Sequence, residues 1–266
     1  MMTTLVVSRI SPARVGAVIN RNIGALRSGP AYGILLISGF FEPLLYLLSI
    51  GVGVGALVGD LNVDGRTLPY ASFVAPAMLA VSAMSGALAE TTFNFFFKLK
   101  YMKTFEAVLA TPVRPMEIAV GELIWAIARG SLYTGIFLVI MVVMRLAEPG
   151  WALAALPATV LVGLAFGSVG MAVSTLMRGW QDFDLLGTGQ FALFLFSGTF
   201  SPVQNYPLGV EILIHVTPLY HAVELVRGLC LGAVGPGLLW HVAYLTVMAV
   251  AGLWFAARRM ETKLCL

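Results

Sequence analysis

Few side chains in this sequence could do chemistry, and several of them are ionisable residues inside long apolar segments. Glu42 lies directly before Pro43 in the first such segment, and Glu90 lies near the end of the second. Glu122 and Arg129 are seven residues apart in the third segment, so they share one helical face with their backbones about 10 Å apart. Ionisable groups in a membrane are costly and are functional candidates. We expect Glu122 and Arg129 to find partners on other helices, and a packing role is the alternative to a transport role for all four.

Hydrolytic chemistry would have to come from Ser85 and His241. A membrane-embedded lipid-modifying enzyme would need such a serine and histidine to face each other, and nothing in their spacing places them together. The phosphate-binding pattern G-x-x-x-x-G-K-[ST] does not occur in the chain. The spacing of Cys230 and Cys265 is not that of a metal site. The sequence therefore predicts no catalytic residue, no metal and no cofactor in this chain, and it predicts that the protein is not an ATPase by itself.

The stretch KYMKTFEAVLATPVRPMEIAVGELIW concentrates charge between two apolar segments. We predict a short helix that Thr104 caps and that residues 111–112 end. Pro115 suits the first turn of the next helix, where the positive helix end would favour Glu117. An ordinary basic loop that only sets the topology is the alternative.

The elements that must position these residues are helices in a membrane. Of the 266 residues, 59% are hydrophobic and 11% are charged, whereas about 25% are charged in a soluble domain. The mean hydropathy is +0.91. The apolar runs are long and continuous, without the alternation of a barrel strand. We predict an all-α polytopic membrane protein with one transmembrane domain over residues 1–266 and with six spans at residues 31–58, 70–97, 118–144, 151–177, 185–200 and 237–257.

The lysines and arginines predict the orientation of these spans. Twelve of the 16 lie in the N-terminal segment, in the loops after the second and fourth spans, and after the last span. Cytoplasmic loops carry such an excess, so both termini are predicted to be cytoplasmic.

Two segments outside the spans have patterns of their own. Apolar residues recur at helical spacing over residues 12–28, which predicts an amphipathic helix at the cytoplasmic interface, with a poorly ordered basic tail as the alternative. Residues 201–236 are too polar for a span and too apolar for a free loop. We expect two short helices there, which either re-enter the outer leaflet or form a cap on its surface.

Five stretches together resemble the permease subunits of ABC-2 type transporters, in the branch of the nodulation lipo-oligosaccharide exporter permeases and the daunorubicin-resistance permeases. They are EPLLYLLSIGVGVG, YASFVAPAML, the charged stretch through GELIWA, FSGTFSPVQNYP and PLYHAVELVRG. They occur in family order and span nearly the whole chain. The resemblance implies a multi-pass permease of the bacterial inner membrane that pairs with a second copy of itself and binds two copies of a separate ABC ATPase.

The resemblance also implies roles for particular residues. A cytoplasmic coupling helix would lie within residues 98–117, and its candidate contact residues are Thr104, Phe105, Glu106, Leu109, Thr111, Pro112 and Arg114. The family's transport path lies between two permease copies and is lined mainly by the first, second and fifth spans. The candidates to line it here are Glu42, Glu90, Phe191, Phe194 and Phe196. Lipid-facing aromatic side chains are the alternative for the three phenylalanines.

The function expected on these grounds is ATP-driven export of an amphiphilic substrate, such as a lipid-linked glycan, a glycolipid or a hydrophobic drug. ATP and Mg would be bound by the partner ATPase, membrane lipids would surround the chain, and no nucleic acid is expected. Two alternatives stay open: the lipid-modifying enzyme, and a secondary transporter driven by protons through Glu42 or Glu90.

Overall fold

The structure is a computed structural model, and it describes residues 10–28, 41–63 and 66–264. Its helices, in chain order, are α1 (Pro12–Arg27), α2 (Phe41–Tyr46, continued by π-helical Leu47–Val54 and by Gly55–Val58), α3 (Tyr70–Ala89, continued by the π-helical turns Glu90–Asn94 and Phe97–Tyr101), α4 (Thr104–Leu109), α5 (Pro115–Val143), α6 (Pro149–Leu176), α7 (Gln181–Leu195), α8 (Leu208–Val216), α9 (Pro218–Cys230) and α10 (Gly237–Leu264). A short 3-10 turn, Val203–Asn205, precedes α8.

A small antiparallel hairpin joins α2 to α3. Strand β1 (Asp60–Val63) pairs with β2 (Arg66–Pro69), with Asp60 opposite Pro69 and Leu61 opposite Leu68. The sequence pattern did not predict these strands, because four residues are too few to show a clear period of two. The hairpin marks one end of the helix bundle, called the hairpin end below, and the opposite end is called the α4 end.

Four helical stretches of the described residues are long and apolar enough to cross a membrane: Tyr70–Tyr101, Pro115–Val143, Pro149–Leu176 and Gly237–Lys263. They coincide with the second, third, fourth and sixth predicted spans. The helices α8 and α9, which meet at 81°, would form a fifth span if they are counted as one. The prediction of an all-α membrane protein is confirmed, whereas the number of six spans stays a prediction.

The two remaining predicted spans are not among these four stretches. The first, 31–58, lies partly outside the described residues, and its described part is the shorter apolar helix Pro43–Val58. The fifth, 185–200, is the 15-residue helix α7, which starts earlier and ends at Leu195. A helix of 15 residues is about 22 Å long, less than the roughly 30 Å of a hydrocarbon core. The chain leaves the helical conformation after it, and Gly198 has a φ of +69° that favours glycine.

Helix α6 lies at the centre of the bundle and packs against α3, α5, α9 and α10. Small residues allow its close contact with α10, since a Cβ atom added to Gly252 would come within 2.9 Å of the backbone of Ser168. Near the α4 end, a separate apolar cluster joins α4 to the bundle, and it includes the fully buried Phe95, Phe105 and Ile118.

Helix α1 packs on the first turns of α5, with Val15 and Val18 buried between them. The contact is close, because a Cβ atom added to Gly121 would lie 2.8 Å from Val18. A helix is therefore present where residues 12–28 predict one. Its position at a membrane surface stays a prediction.

Candidate functional site

The short helix α4 lies where the charged stretch predicts a short helix, within the segment in which the family resemblance implies a coupling helix. It begins at Thr104 and is followed by Thr111, whose hydroxyl donates to the Val108 carbonyl at 2.6 Å. The expectation that Thr104 caps the helix is wrong. Lys103 occupies the cap position in the left-handed conformation, with a φ of +50°, and no side chain caps the helix. Thr104 is instead the first helical residue. The side chain that accepts from the first free N–H groups of a helix belongs to the residue before the helix, so Thr104 is not placed to cap it.

The candidate coupling residues divide into an outer set and an anchor. Glu106, Thr111, Pro112 and Arg114 are exposed, and Thr104 and Leu109 are half-buried. Phe105 is the exception, since its ring is fully buried and packs on Phe95 with the ring centres 5.0 Å apart. Phe105 therefore attaches α4 to the end of α3 and is not available as a direct contact for a partner.

Glu117 holds in place the loop that follows α4. Its carboxylate accepts hydrogen bonds from the Arg114 backbone N–H at 3.0 Å and from the Ser11 backbone N–H at 2.9 Å. It also forms an ion pair with Arg14 at 3.0 Å. Arg14 in turn donates to the Pro112 carbonyl at 2.7 Å. The first turn of α1, the loop after α4 and the first turn of α5 thus meet at one buried carboxylate.

A second buried carboxylate, five residues further along α5, joins three helices. Glu122 of α5 accepts from Arg21 of α1 at 2.6 Å and from Lys98 at the end of α3 at 2.7 Å. Asn22 bridges the two cations, since its side-chain carbonyl accepts from Arg21 at 3.1 Å and from Lys98 at 2.9 Å, and its amide nitrogen donates to Glu122 at 3.1 Å. The prediction that Glu122 has interhelical partners is confirmed. We call the ion pairs of Glu117 and Glu122 the charge network.

The partners in the charge network were not predicted from the sequence. The only signal for them was the seven-residue spacing of Arg14 and Arg21, which places both on one face of α1. That spacing shows that the two arginines point the same way, and it does not show what they meet.

Arg129 also has its partner on another helix, as predicted. It forms an ion pair with Glu90 of α3, and its Nε donates to the Tyr133 hydroxyl at 2.7 Å. Glu90 is buried within this contact between α3 and α5. Glu90 was a candidate to line a transport path, but it is not among the lining residues of the groove between α2, α3 and α7.

A groove of about 250 Å³ lies between α2, α3 and α7. Its described lining residues are Pro43, Tyr46, Val81, Met84, Ser85, Gly187, Gln190, Phe191 and Phe194. Phe194 is buried and packs edge-on against Tyr46 with the ring centres 5.1 Å apart, whereas Phe191 is 54% exposed. Most of the lining residues are apolar, and the polar ones are Tyr46 and a pair in which Gln190 donates to the Ser85 hydroxyl at 2.9 Å. The groove therefore suits an apolar chain with few fixed polar contacts.

The two other candidates for the path lie elsewhere. Phe196 follows the end of α7, is 43% exposed and does not line the groove. The side chain of Glu42 lies outside the described residues, although its neighbour Pro43 lines the groove. The groove thus includes Phe191 and Phe194 of the predicted set and adds Tyr46, Ser85 and Gln190, which the sequence did not single out for this role.

Ser85 and His241 occupy separate environments. Ser85 lies in the groove with Gln190, whereas the Nδ1 atom of His241 lies 2.8 Å from the Nδ1 atom of His221 at the hairpin end. The serine–histidine pair that a membrane hydrolase would require is therefore not formed. Over residues 10–28, 41–63 and 66–264, no group of three or more His, Cys, Asp or Glu side chains is placed to hold a metal ion.

Comparisons with known proteins agree on one family. Residues 14–231 match the family described as ABC-2 type transporter. Nodulation protein J of Sinorhizobium fredii (strain NBRC 101917 / NGR234) is 33% identical over 249 residues, which cover 93% of each chain. Nodulation protein J of Rhizobium meliloti (strain 1021) is 34% identical over 229 residues, 84% of each chain. The inner membrane transport permease YadH of Escherichia coli (strain K12) is 25% identical over 183 residues, 68% of this chain and 69% of its own.

Proposed function

The chain belongs to the ABC-2 type transporter family, and from that premise we propose that it is the permease subunit of an ATP-driven exporter. The chain is the membrane component of the transporter and not itself an enzyme. A separate ABC ATPase would bind ATP and Mg and would dock at the α4 end, which faces the cytoplasm in this proposal. The exported molecule would be an amphiphile, such as a lipid-linked glycan, a glycolipid or a hydrophobic drug.

The observation that carries the proposal is the way α4 is held. Its outer residues Glu106 and Thr111 are exposed, while its inner residue Phe105 is fully buried in the bundle. The charge network directly behind it ties α1, α3 and α5 together through Glu117 and Glu122. A helix that must pass on a partner's movement needs an accessible outer face and a stiff connection to the elements that move. Helix α4 has both.

The groove supports an amphiphilic substrate. Its exposed Phe191 and its buried Phe194 offer apolar surface to an acyl chain or a ring system. The groove is open on one side, and a second copy of the chain facing it would close a path between two permease halves. We therefore include a homodimer with two ATPase copies in the proposal.

The proposed topology places the protein in the bacterial inner membrane with both termini in the cytoplasm. The described helix Pro43–Val58 would be the end of the first span, and α7 would be the fifth. Helix α1 would lie in the cytoplasmic interface beside α4. The helices α8 and α9, bent by 81°, would enter the outer leaflet and return. The name of the relative YadH, an inner membrane transport permease, supports this location.

The test is reconstitution with a candidate partner. The chain is co-expressed with an ABC ATPase encoded beside it, purified and placed in proteoliposomes with fluorescent glycolipid, phospholipid and hydrophobic dye substrates. We expect the two proteins to co-purify, and we expect ATP-dependent movement of at least one substrate class. An ATPase with its Walker lysine replaced is the control. Transport by the isolated chain in a proton gradient, without any ATPase, would overturn the proposal.

The two alternatives receive no support from the described side chains. Glu90 is already neutralised by Arg129, so a proton taken up there would have to break a buried ion pair. Ser85 and His241, the serine and the histidine that hydrolysis would require, lie in different parts of the bundle.

A further inference from the structure

Three cationic side chains from two helices lie close together at the α4 end. Lys100 belongs to the end of α3, and Arg259 and Lys263 belong to the end of α10. Lys263 lies near enough to both of the others for their charges to repel it. Lys100 also donates a hydrogen bond to the carbonyl of Arg178, which follows α6, so that a fourth cationic residue begins beside the group. We call Lys100, Arg259 and Lys263 the basic cluster.

The basic cluster differs from the cations on either side of it in the sequence. Lys98, two residues before Lys100, forms an ion pair with Glu122 at 2.7 Å. Lys103, three residues after Lys100, forms one with Glu106 at 3.7 Å. Within residues 10–28, 41–63 and 66–264, no ion pair joins a carboxylate to a member of the basic cluster. The described part of the chain therefore leaves the charge of the cluster uncompensated.

Two carboxylates near the basic cluster in the sequence have other positions. Asp182 accepts from the backbone N–H of Arg178 at 2.6 Å, at the start of α7. Glu261 is exposed on α10, two residues from Arg259 and from Lys263, and residues two apart do not face each other on a helix. Arg259 and Lys263 are four apart and share a face. The Nε atom of Arg259 is buried and has no hydrogen-bond partner among the described residues. An anion from outside the chain would compensate this charge and relieve the repulsion.

An aromatic surface borders the basic cluster. The ammonium group of Lys100 lies 5.4 Å from the ring centre of Phe96, and that ring packs on Tyr101 with the centres 5.8 Å apart. Tyr101 in turn packs on Trp180 with the ring centres 6.0 Å apart. Tyr101 and Trp180 are each about half-exposed. Tyrosine and tryptophan side chains are enriched at the boundary between a membrane and water, at the level of the lipid headgroups.

The ends of two membrane-crossing stretches place the basic cluster at this same level. The stretch Tyr70–Tyr101 ends one residue after Lys100, and the stretch Gly237–Lys263 ends at the cluster itself. Basic residues at the ends of transmembrane helices attract anionic lipid headgroups. Cations at this depth, beside exposed aromatic rings, fit a lipid phosphate better than they fit an acidic segment of a soluble partner.

We propose that the basic cluster, with the rings of Tyr101 and Trp180, binds the headgroup of an anionic phospholipid. The phosphate would lie among the three cations, and the two rings would lie against the glycerol and the first acyl carbons. This lipid is a ligand that stays with the protein, so the proposal goes beyond export. It would join α3 to α10, a helix that takes part in no ion pair of the described residues. In the proposed topology it belongs to the cytoplasmic leaflet.

The test measures lipid binding to the full-length chain by native mass spectrometry in detergent. Phosphatidylglycerol is the anionic probe, and phosphatidylcholine with the same acyl chains is the zwitterionic probe. We expect phosphatidylglycerol to bind at least about tenfold more tightly and to raise the melting temperature, because a ligand of the folded state stabilises it. Equal binding of the two lipids would overturn the proposal. Displacement of phosphatidylglycerol by an equal concentration of inorganic phosphate would also overturn it, because the site would then recognise a free anion.

Variants locate the binding. Arg259→Gln and Lys263→Gln should each weaken the affinity for phosphatidylglycerol by about fivefold, the effect of one basic residue near a lipid surface. Lys263→Arg keeps the charge and should bind as the wild type does. The matched control is Lys103→Gln, which removes an exposed cation outside the cluster. Equal affinity in all four variants would refute the site, and so would a loss in the control as large as that in the cluster.

The ATPase and a second copy of the chain are the other partners that could meet the basic cluster. The double variant of Arg259→Gln and Lys263→Gln, studied in phosphatidylcholine alone, separates them from a lipid. We expect it to co-purify with the ATPase and to keep the oligomeric state of the wild type. Loss of either property with unchanged binding of phosphatidylglycerol would assign the cluster to a protein interface and overturn the proposal.

The proposal fails separately from the exporter function. Lipid binding is measured on the chain alone, whereas export is measured on the complex with its ATPase. A wild-type chain that transports an amphiphile with ATP but does not prefer phosphatidylglycerol refutes only the lipid site. A chain that prefers phosphatidylglycerol but never associates with an ATPase refutes the exporter and leaves the lipid site standing.

Discussion

At the α4 end, ion pairs between helices hold the bundle together, whereas at the hairpin end a single buried arginine lies beside a cavity of about 490 Å³. Glu117 and Glu122 are almost fully buried and join α1, α3 and α5. Arg227, at the other end, pairs with Glu224 of its own helix, which is half-exposed. Ion pairs between helices resist relative movement, and an ion pair within one helix does not. The α4 end is therefore joined by ion pairs between helices, and the hairpin end by the hydrogen bonds that Arg227 donates to the Phe73 and Gly198 carbonyls.

The largest expected effect comes from breaking the charge network. Glu122→Leu should lower stability by about 3 kcal/mol, because it leaves Arg21 and Lys98 without their shared partner in a partly buried site. The measurement is thermal unfolding of the detergent-purified protein. Glu106→Leu is the control, since Glu106 is exposed and its ion-pair partner among the described residues is Lys103 at 3.7 Å. Equal melting temperatures for both variants would show that the network does not stabilise this end.

The corresponding change at the hairpin end should lower the stability of the protein by a smaller amount. Arg227→Met leaves only Glu224 without an ion-pair partner, and that carboxylate is 32% exposed, so water solvates it in part. We expect a loss of about 2 kcal/mol, mainly from the hydrogen bonds to Phe73 and Gly198. The same unfolding experiment measures it. A loss larger than that of Glu122→Leu would reverse the comparison between the two ends.

Changes in α4 should affect coupling. For the exposed Glu106 they should do so without affecting stability, whereas Leu109 packs partly against the apolar cluster and its change to Asp should also lower stability. Glu106→Arg and Leu109→Asp should each reduce ATP-driven transport or ATPase co-purification about tenfold, equivalent to about 1.4 kcal/mol of binding. Glu148→Arg, an equally exposed charge reversal at the hairpin end, should leave both unchanged. Normal transport by both α4 variants would show that this helix is not the ATPase contact.

The smallest expected effect concerns the groove. Phe191→Ala should reduce transport about threefold, because the variant removes part of an apolar wall that the neighbouring Phe194 still provides. Phe255→Ala, a partly exposed phenylalanine on α10, is the matched control. Initial transport rates in proteoliposomes at equal protein content would measure both. Identical rates for the two variants would favour a lipid-facing role for Phe191.

Part of the candidate site could be predicted because its signals are local. Proline and threonine at the boundaries of α4 predict a helix that ends before Thr111, and Pro115 predicts where α5 starts. The cap at Thr104 was predicted wrongly, because Lys103 takes a left-handed conformation that its residue type does not favour. The buried position of Phe105 was also missed. In a helix of six residues, an apolar side chain fits a partner's surface as well as it fits the core.

By itself, the sequence determined that the protein is an all-helical membrane protein, because a chain with 11% charged residues cannot cover a water-facing surface and must satisfy its backbone groups within helices. It also determined that Glu122 and Arg129 need partners, because buried charges must be compensated. Only the tertiary structure decided which partners they have. Arg21 and Glu122 are 101 residues apart in the chain, and packing alone brings them to 2.6 Å. The same holds for the groove and the cavity, since each is formed by side chains from several helices that have no local pattern in common.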